Sequence, residues 1–306
     1  MIKAVDRCKG ALLGLACGDA VGTTAEFQER GSFVPVTDMW GGGHFNLEPG
    51  QWTDDTSMAL CMAASLIEKK EVDLFDQMIK YVNWWNHGYM SSTGECFDIG
   101  MTTARSLNHF LLTDDPRAGV DDERQSGNGG LMRQAPIVIW NFYDWVAAMN
   151  DSVQVTMTTH GSRLCLFAAR LWADILWRAL QGVPKEELLT STVPYEHEAL
   201  SWIANTDYTK LDRDKIRGTG YVVDSMKAAL WCFANSDSYR MAVLMATNLG
   251  DDADTTAAIV GQLAGAHYGK QGIPEQWLKN ISMGMEIEQM AADLYFGGPG
   301  AEVESL

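Results

Sequence analysis

Two short acidic clusters carry the residue types most suited to chemistry. Trp52-Thr53-Asp54-Asp55-Thr56 runs directly into the apolar stretch Met58-Ala59-Leu60. Close to two hundred residues later, Gly250-Asp251-Asp252-Ala253-Asp254-Thr255-Thr256 runs into Ala257-Ala258-Ile259-Val260. Each puts carboxylates and hydroxyls where a helix would start. A single Asp or Thr satisfies the free amides of a helix start and suits its dipole. Capping therefore explains one residue of each cluster and leaves the rest over. Hard divalent cations want these oxygen donors, and a turn entering a helix lets neighbouring side chains converge. An EF-hand reading of Asp252-Ala253-Asp254 fails at Ala257 and Leu263, where that loop needs glycine and a bidentate Glu. If the two clusters meet, Asp54, Asp55, Asp252 and Asp254 share one site. Four carboxylates at that range cannot all stay ionised without compensating cations. Two divalent ions balance them, so the expectation is a binuclear Mg²⁺ or Mn²⁺ centre.

The elements that must position these clusters read as helices. Leu164, Phe167, Ala168, Leu171, Ile175 and Ala179 recur at three- and four-residue steps over 163–180, the stripe of a half-buried helix. Similar patterns predict helices near 7–20, 56–69, 74–87, 100–112, 136–149, 185–190, 222–234, 238–247, 254–268 and 275–294. Glycine and proline clusters such as Gly41-Gly42-Gly43, Gly127-Asn128-Gly129-Gly130 and Gly297-Gly298-Pro299-Gly300 punctuate them. Strand-like alternation is rare, and no repeat or linker divides the chain. The expectation is one all-α domain spanning 1–306, with functional residues on loops and at helix starts.

Composition narrows the function classes. With 40 acidic against 23 basic residues, the formal charge of −17 disfavours a general nucleic-acid binder. Every long apolar stretch is broken by charge within about 18 residues, so no membrane span is expected. The start Met1-Ile2-Lys3-Ala4-Val5-Asp6-Arg7 does not read as a secretory signal. A cytoplasmic protein is the expectation. The six cysteines form no C-x-x-C pair and read as reduced, buried thiols.

Four ordered motifs carry a resemblance. Gly10-Ala11-Leu12-Leu13-Gly14-Leu15-Ala16-Cys17-Gly18-Asp19-Ala20-Val21-Gly22 with Glu26-Phe27, then the first acidic cluster, then Gly127-Asn128-Gly129-Gly130-Leu131-Met132-Arg133, then the second cluster continuing to Gly261-Gln262-Leu263-Ala264-Gly265-Ala266, together resemble the ADP-ribosylglycohydrolase family. Ser91–Gly100 and Gly220-Tyr221-Val222-Val223-Asp224 look like its dinitrogenase reductase-activating and ADP-ribosylarginine hydrolase branch. The resemblance implies an all-α fold around a central binuclear Mg²⁺ or Mn²⁺ cleft. It implies Thr53, Asp54, Asp55, Asp252, Asp254 and Thr255 as ligands, and leaves Asp251 off the metal.

The resemblance also implies roles for single residues. Glu26 reaches the metal site as a water-orienting or acid/base carboxylate, unless it is a surface or capping Glu. Ser126, Gly127, Asn128 and Gly129 offer backbone amides for a pyrophosphate, though alone such a stretch marks only a turn. His160 matches a position near ribose or phosphates, against the ordinary structural role of a lone His. Tyr221 offers a flat ring for adenine or for packing. Asp98 either caps a helix or receives an arginine guanidinium. His44, His87, His109, His197 and His267 have no constellation around them. The implied reaction is hydrolysis of the N-glycosidic bond of ADP-ribosylated arginine on a protein. Water attack is assisted by Glu26, Asp55 or Asp254. The alternatives are an enzyme for ADP-ribosylserine or O-acetyl-ADP-ribose, and an antitoxin protein that binds a toxin partner.

Overall fold

The computed structural model describes residues 2–301, so Met1 and 302–306 of the expected 1–306 domain lie outside the described residues. Among the described residues the chain forms thirteen α-helices. They are α1 (Ala4–Gly22), α2 (Asp54–Lys69), α3 (Leu74–His87), α4 (Met101–Thr113), α5 (Ala135–Trp140), α6 (Trp145–Met157) and α7 (Arg163–Leu180). The others are α8 (Lys185–Leu188), α9 (Val222–Ala234), α10 (Tyr239–Thr247), α11 (Ala253–Tyr268), α12 (Glu275–Asn280) and α13 (Gly284–Gly297). Extended pairing among these residues amounts to isolated bridges such as Gly127 with Tyr221. None of the described helices is long and apolar enough to cross a membrane.

Small residues at every fourth position decide the centre. Gly10, Gly14, Gly18 and Gly22 form one ridge of α1, since residues four apart lie on one helix face. That ridge lies directly on the backbone of α11, antiparallel. A Cβ on Gly10 would stand 2.2 Å from the Gly265 carbonyl oxygen, one on Gly14 2.4 Å from that of Gly261, and one on Gly18 2.2 Å from that of Ala257. At the far end a Cβ on Gly22 would stand 2.4 Å from Asp254 Cα. α11 answers with its own small residues, because a Cβ on Gly261 or Gly265 would strike the Gly14 or Gly10 carbonyl at 2.1 and 1.9 Å. Tyr239 of α10 locks the pair, its hydroxyl donating to the Gly14 carbonyl at 2.7 Å. Both helices are buried along most of their length, and α2, α5, α7, α9, α10 and α13 pack around them.

Most expected helices are present, and two are divided. The stretch 136–149 breaks at Asn141-Phe142-Tyr143 because Asp144 caps a new helix, accepting from Ala147 N at 2.9 Å. The stretch 275–294 breaks where Ser282 N donates to the Gly50 carbonyl at 2.9 Å and Met283 turns left-handed, with φ of 53°. The expected 185–190 helix is only the single turn of α8. Residues 198–204, 208–210 and 213–215 form 3₁₀ turns that no helical pattern announced. The six cysteines are free thiols, all buried except the half-buried Cys96.

Gly14→Ala forces a methyl into a backbone carbonyl that cannot move aside. We expect a loss of at least about 2 kcal/mol, measured by urea denaturation, because overpacking against backbone offers no side chain to rearrange. A Gly14→Ala protein as stable as the parent would contradict the packing described.

Candidate active site

The two acidic clusters meet at the end of the α1–α11 contact. Asp19 of α1 organises the first. Its Oδ1 accepts from Thr53 N and Thr53 Oγ1, both at 2.9 Å, and its Oδ2 accepts from Thr56 N at 3.0 Å and Thr56 Oγ1 at 2.6 Å. Asp19 thus satisfies the amides at the start of α2 from another helix. Thr53, the residue at the cap position, makes no capping bond of its own. Asp252, at the corresponding position of α11, makes none either, and instead accepts from Asn128 Nδ2 at 2.7 Å. Capping therefore does not explain these clusters.

Thr53 Oγ1 lies 3.2 Å from Asp55 Oδ2 and 3.3 Å from Asp254 Oδ2, and Thr255 Oγ1 lies 3.4 Å from Asp55 Oδ2. Carboxylate oxygens of Asp19, Asp55 and Asp254 come within 4.8 Å of one another, and so do those of Glu26, Asp98 and Asp254. Asp254 belongs to both groups and joins them. Three oxygens at this floor are buried without a hydrogen-bond donor: Asp55 Oδ1, Asp254 Oδ1 and Glu26 Oε2. Buried carboxylate oxygens left unpaired are costly. A cation coordinated by them removes that cost, so the residues present fit a hard divalent ion.

Electrostatics say the same. Burial, then the charges of Asp98, Asp252 and Asp54, push Glu26 up to about 10. Burial with Asp252 and Asp19 raises Asp98 to about 7. Asp54, Asp55 and Asp254 are driven well above the usual carboxylate range, first by burial and then by neighbouring charges, led by Asp98 for Asp54, Asp19 for Asp55 and Glu26 for Asp254. Asp19 rises only to about 6, because the Thr53 and Thr56 donors oppose its burial.

Above this floor opens a cavity of about 980 Å³. Glu26, Asp54, Asp98, Asp252 and Thr255 line its acidic end, and Gly127, Asn128, Gly129 and His160 line another wall. Arg217 is the one Lys or Arg among the described lining residues, and it lies 4.0 Å from Asp251. Backbone bonds lace the loops together. Phe27 N donates to the Asp251 carbonyl, Asp251 N to that of Gln28 and Asp252 N to that of Gly218, each at 2.8 Å.

The glycine wall is held from behind. Buried Arg133 donates to the Gly129 carbonyl at 2.8 Å and to Thr159 Oγ1 at 2.6 Å. Thr159 Oγ1 in turn meets His160 Nδ1 at 2.8 Å. The imidazole fills the space that side chains on the loop would need, for a Cβ on Gly129 would stand 2.6 Å from His160 Cε1. Burial and then Arg133 push His160 down to about 3, so the ring is neutral. Five expected residues stand apart from the lining: Thr53, Asp55 and Asp254 are buried beneath it, and Ser126 and Tyr221 lie to its side. Ser126 turns its hydroxyl to the Glu123 carbonyl and Ser162 Oγ, both at 2.8 Å, and Tyr221 stands 40% exposed beside Gly127.

Sequence reasoning missed Asp19, although one acid within an apolar run of helix signals a buried carboxylate with a task. It also missed Arg217 and the company of His44, whose ring meets Phe27 edge-to-face at 5.2 Å.

Fold and cleft define an all-helical protein whose pocket is floored by carboxylates fit for metal. The chain belongs to the ADP-ribosylglycohydrolase family, whose model matches residues 2–302. It is 42% identical to the ADP-ribosylarginine hydrolase Tri1 of Pseudomonas putida (strain GB-1), over 97% of this chain and 80% of that protein. It is 30% identical to the ADP-ribosyl dinitrogen reductase glycohydrolase of Rhodospirillum rubrum, over 92% of each. Among solved structures, a chain described as an ADP-ribosylglycohydrolase-related protein complex superposes with a TM-score of 0.84 at 39% identity, covering 95% of this chain and 98% of that one.

The neutral His160 gives a pH test. Its folded value lies below the unfolded one near 6.5, so its contribution is intact above pH 6.5 and is lost as pH falls toward 3. Relative to His160→Asn, the parent protein should lose about 1.4 kcal/mol per pH unit across that range in paired denaturation curves. Parallel curves would show that the ring titrates normally.

Proposed function

We propose that this protein is an ADP-ribosylarginine hydrolase that removes ADP-ribose from modified arginine on a protein, working as a single catalytic domain. The observation that carries the reading is the meeting of Asp55 and Asp254, from clusters far apart in the chain, beside Glu26 and Asp98 at one cavity floor. Support comes from likeness over nearly the whole chain to a relative named for that reaction.

Thr53, Asp54, Asp55, Asp252, Asp254 and Thr255 would hold two divalent cations, Mg²⁺ or Mn²⁺. When bound, these supply positive charge that offsets the carboxylates and orients the ribose hydroxyls. The chain's own residues do the rest. The expected amide cradle is narrower than the glycine run suggests, since Gly127 N donates to the Gln125 carbonyl at 2.8 Å and Asn128 N to that of Gly220 at 3.1 Å. The Gly129 amide is the one proposed for the pyrophosphate, with Ser126 bracing the loop through its bonds to Glu123 and Ser162. Neutral His160 packs under that loop and adds no positive charge. Tyr221, exposed beside Gly127, offers its ring to the adenine. Asp98 accepts guanidinium N–H groups.

In the reaction the C1″–N bond breaks and a water oxygen bonds to C1″. Glu26 sits at the acidic end with an unpartnered Oε2, placed to take the proton from that water and return it to the departing nitrogen. Its raised value keeps it protonated without cations. Bound cations would supply positive charge that favours its ionised form. Asp55 and Asp254 lie deeper and hold the floor. The products are ADP-ribose and unmodified arginine.

Release of ADP-ribose from arginine-modified protein tests this directly. Activity should vanish with chelator and return with Mg²⁺ or Mn²⁺. Chelation should also remove roughly 2.7 kcal/mol of stability when the cation had stood at a hundred times its Kd, read as a lower Tm. Asp254→Ala should cut kcat at least about a hundredfold in a folded protein. A fully active Asp254→Ala enzyme, or a parent enzyme indifferent to chelator, would contradict the assignment.

A further inference from the structure

One aromatic residue lining the cavity, Phe27, is left unused by the chemistry above. Phe27 lines the cavity, is 60% exposed, and has a φ of 60°. A bulky residue in the left-handed region is strained, and an exposed ring gains little by burial. The fold nonetheless pins Phe27 there. Its N–H is bonded to the Asp251 carbonyl, and its ring meets His44 edge-to-face at 5.2 Å and Phe45 at 6.3 Å. Phe45 in turn packs on Phe97 at 5.1 Å. A tight turn presents His44 and Phe45, closed by Gly42 and Leu47 exchanging both backbone bonds at 2.7 and 2.9 Å.

Each end of this row of rings is joined in the chain to a cavity carboxylate. Phe27 follows Glu26, and Phe97 precedes Asp98, which is itself left-handed with φ of 58°. The two acids stand close enough to share a group. A guanidinium is the ligand that such a corner suits. It is flat, it stacks on aromatic faces, and its N–H groups lie in its plane where carboxylates accept them. A neutral hydroxyl or acetyl conjugate offers no cation to the rings.

We propose that Phe27, backed by His44 and Phe45, is a specificity-determining residue that receives the guanidinium of the modified arginine beside Glu26 and Asp98. This inference rests on the arginine reading above. It places the ring on the leaving-group side of the bond, away from ADP-ribose.

The test compares Phe27→Ala and Phe27→Tyr with the parent protein, all loaded with Mg²⁺. In Phe27→Ala, KM for arginine-modified protein should rise about tenfold, while kcat changes less than about threefold. The Kd for ADP-ribose should stay within about twofold of the parent, which also shows that the variant is folded. Phe27→Tyr should restore KM. An unchanged KM in Phe27→Ala overturns the inference. So does a parallel loss of ADP-ribose affinity, which would mean that the ring shapes the whole pocket, or a Phe27→Tyr protein that stays impaired. A parent protein that binds ADP-ribose yet releases none from arginine overturns the arginine reading and this inference with it.

Discussion

The backbone-on-backbone contact of α1 with α11 is the constraint from which the site follows. Four glycines of α1 stand so close to α11 that a methyl group on any of them would meet a carbonyl or Cα. The glycine stripe leaves no slack in how the two helices lie, because the contact is between main chains rather than rotatable side chains. Its last member, Gly22, abuts Asp254, and Asp19 sits one turn earlier on the same helix. The stripe therefore sets the distance between a carboxylate of α11 and the one that organises the start of α2. Asp19 carries that order onward by bonding Thr53 and Thr56, which frees Asp54, at the cavity wall, and Asp55, buried beneath it, from capping duty.

The same closeness makes the site unstable as an assembly of charges. Burial and mutual repulsion leave Asp54, Asp55, Asp254 and Glu26 unwilling to ionise together, and three of their oxygens lack a donor. Elsewhere in the fold buried acids are paired. Asp174 accepts from Trp145, Thr192 and Ser191 and lies 3.2 Å from Arg178. The contrast separates a structural carboxylate from carboxylates kept for a ligand. Positive charge is scarce around the cavity too. Arg133 is engaged behind the glycine loop and Arg217 stands at the edge, so neither neutralises the floor.

Much of this was legible in the chain. Helical spacing exposed α7 with its limits and most of the other helices, because three- and four-residue steps of Leu, Ala and Phe have one stable reading. The excess of acids over what a cap needs exposed both clusters. Ordered motifs tied them to a family. What stayed hidden depends on contacts that no local pattern encodes. Asp144 and the Ser282 bond to Gly50 divide stretches whose apolar spacing alone reads as continuous helix. In the chain Asp19 is one polar residue in a helical motif, and its task exists only in the contact with the start of α2. Phe27 and His44 come together only because a turn at 42–47 folds back over the residues that follow α1. A glycine run says nothing of where the neighbouring Ser126 hydroxyl points, and it faces Glu123 and Ser162.

The most direct check of the shared centre is electron paramagnetic resonance during titration of metal-stripped protein with Mn²⁺. If Asp54 and Asp55 share their cations with Asp252 and Asp254, the second equivalent should convert the signal to that of an exchange-coupled manganese pair. A signal that stays that of isolated ions throughout, or binding that stops at one ion, would contradict it.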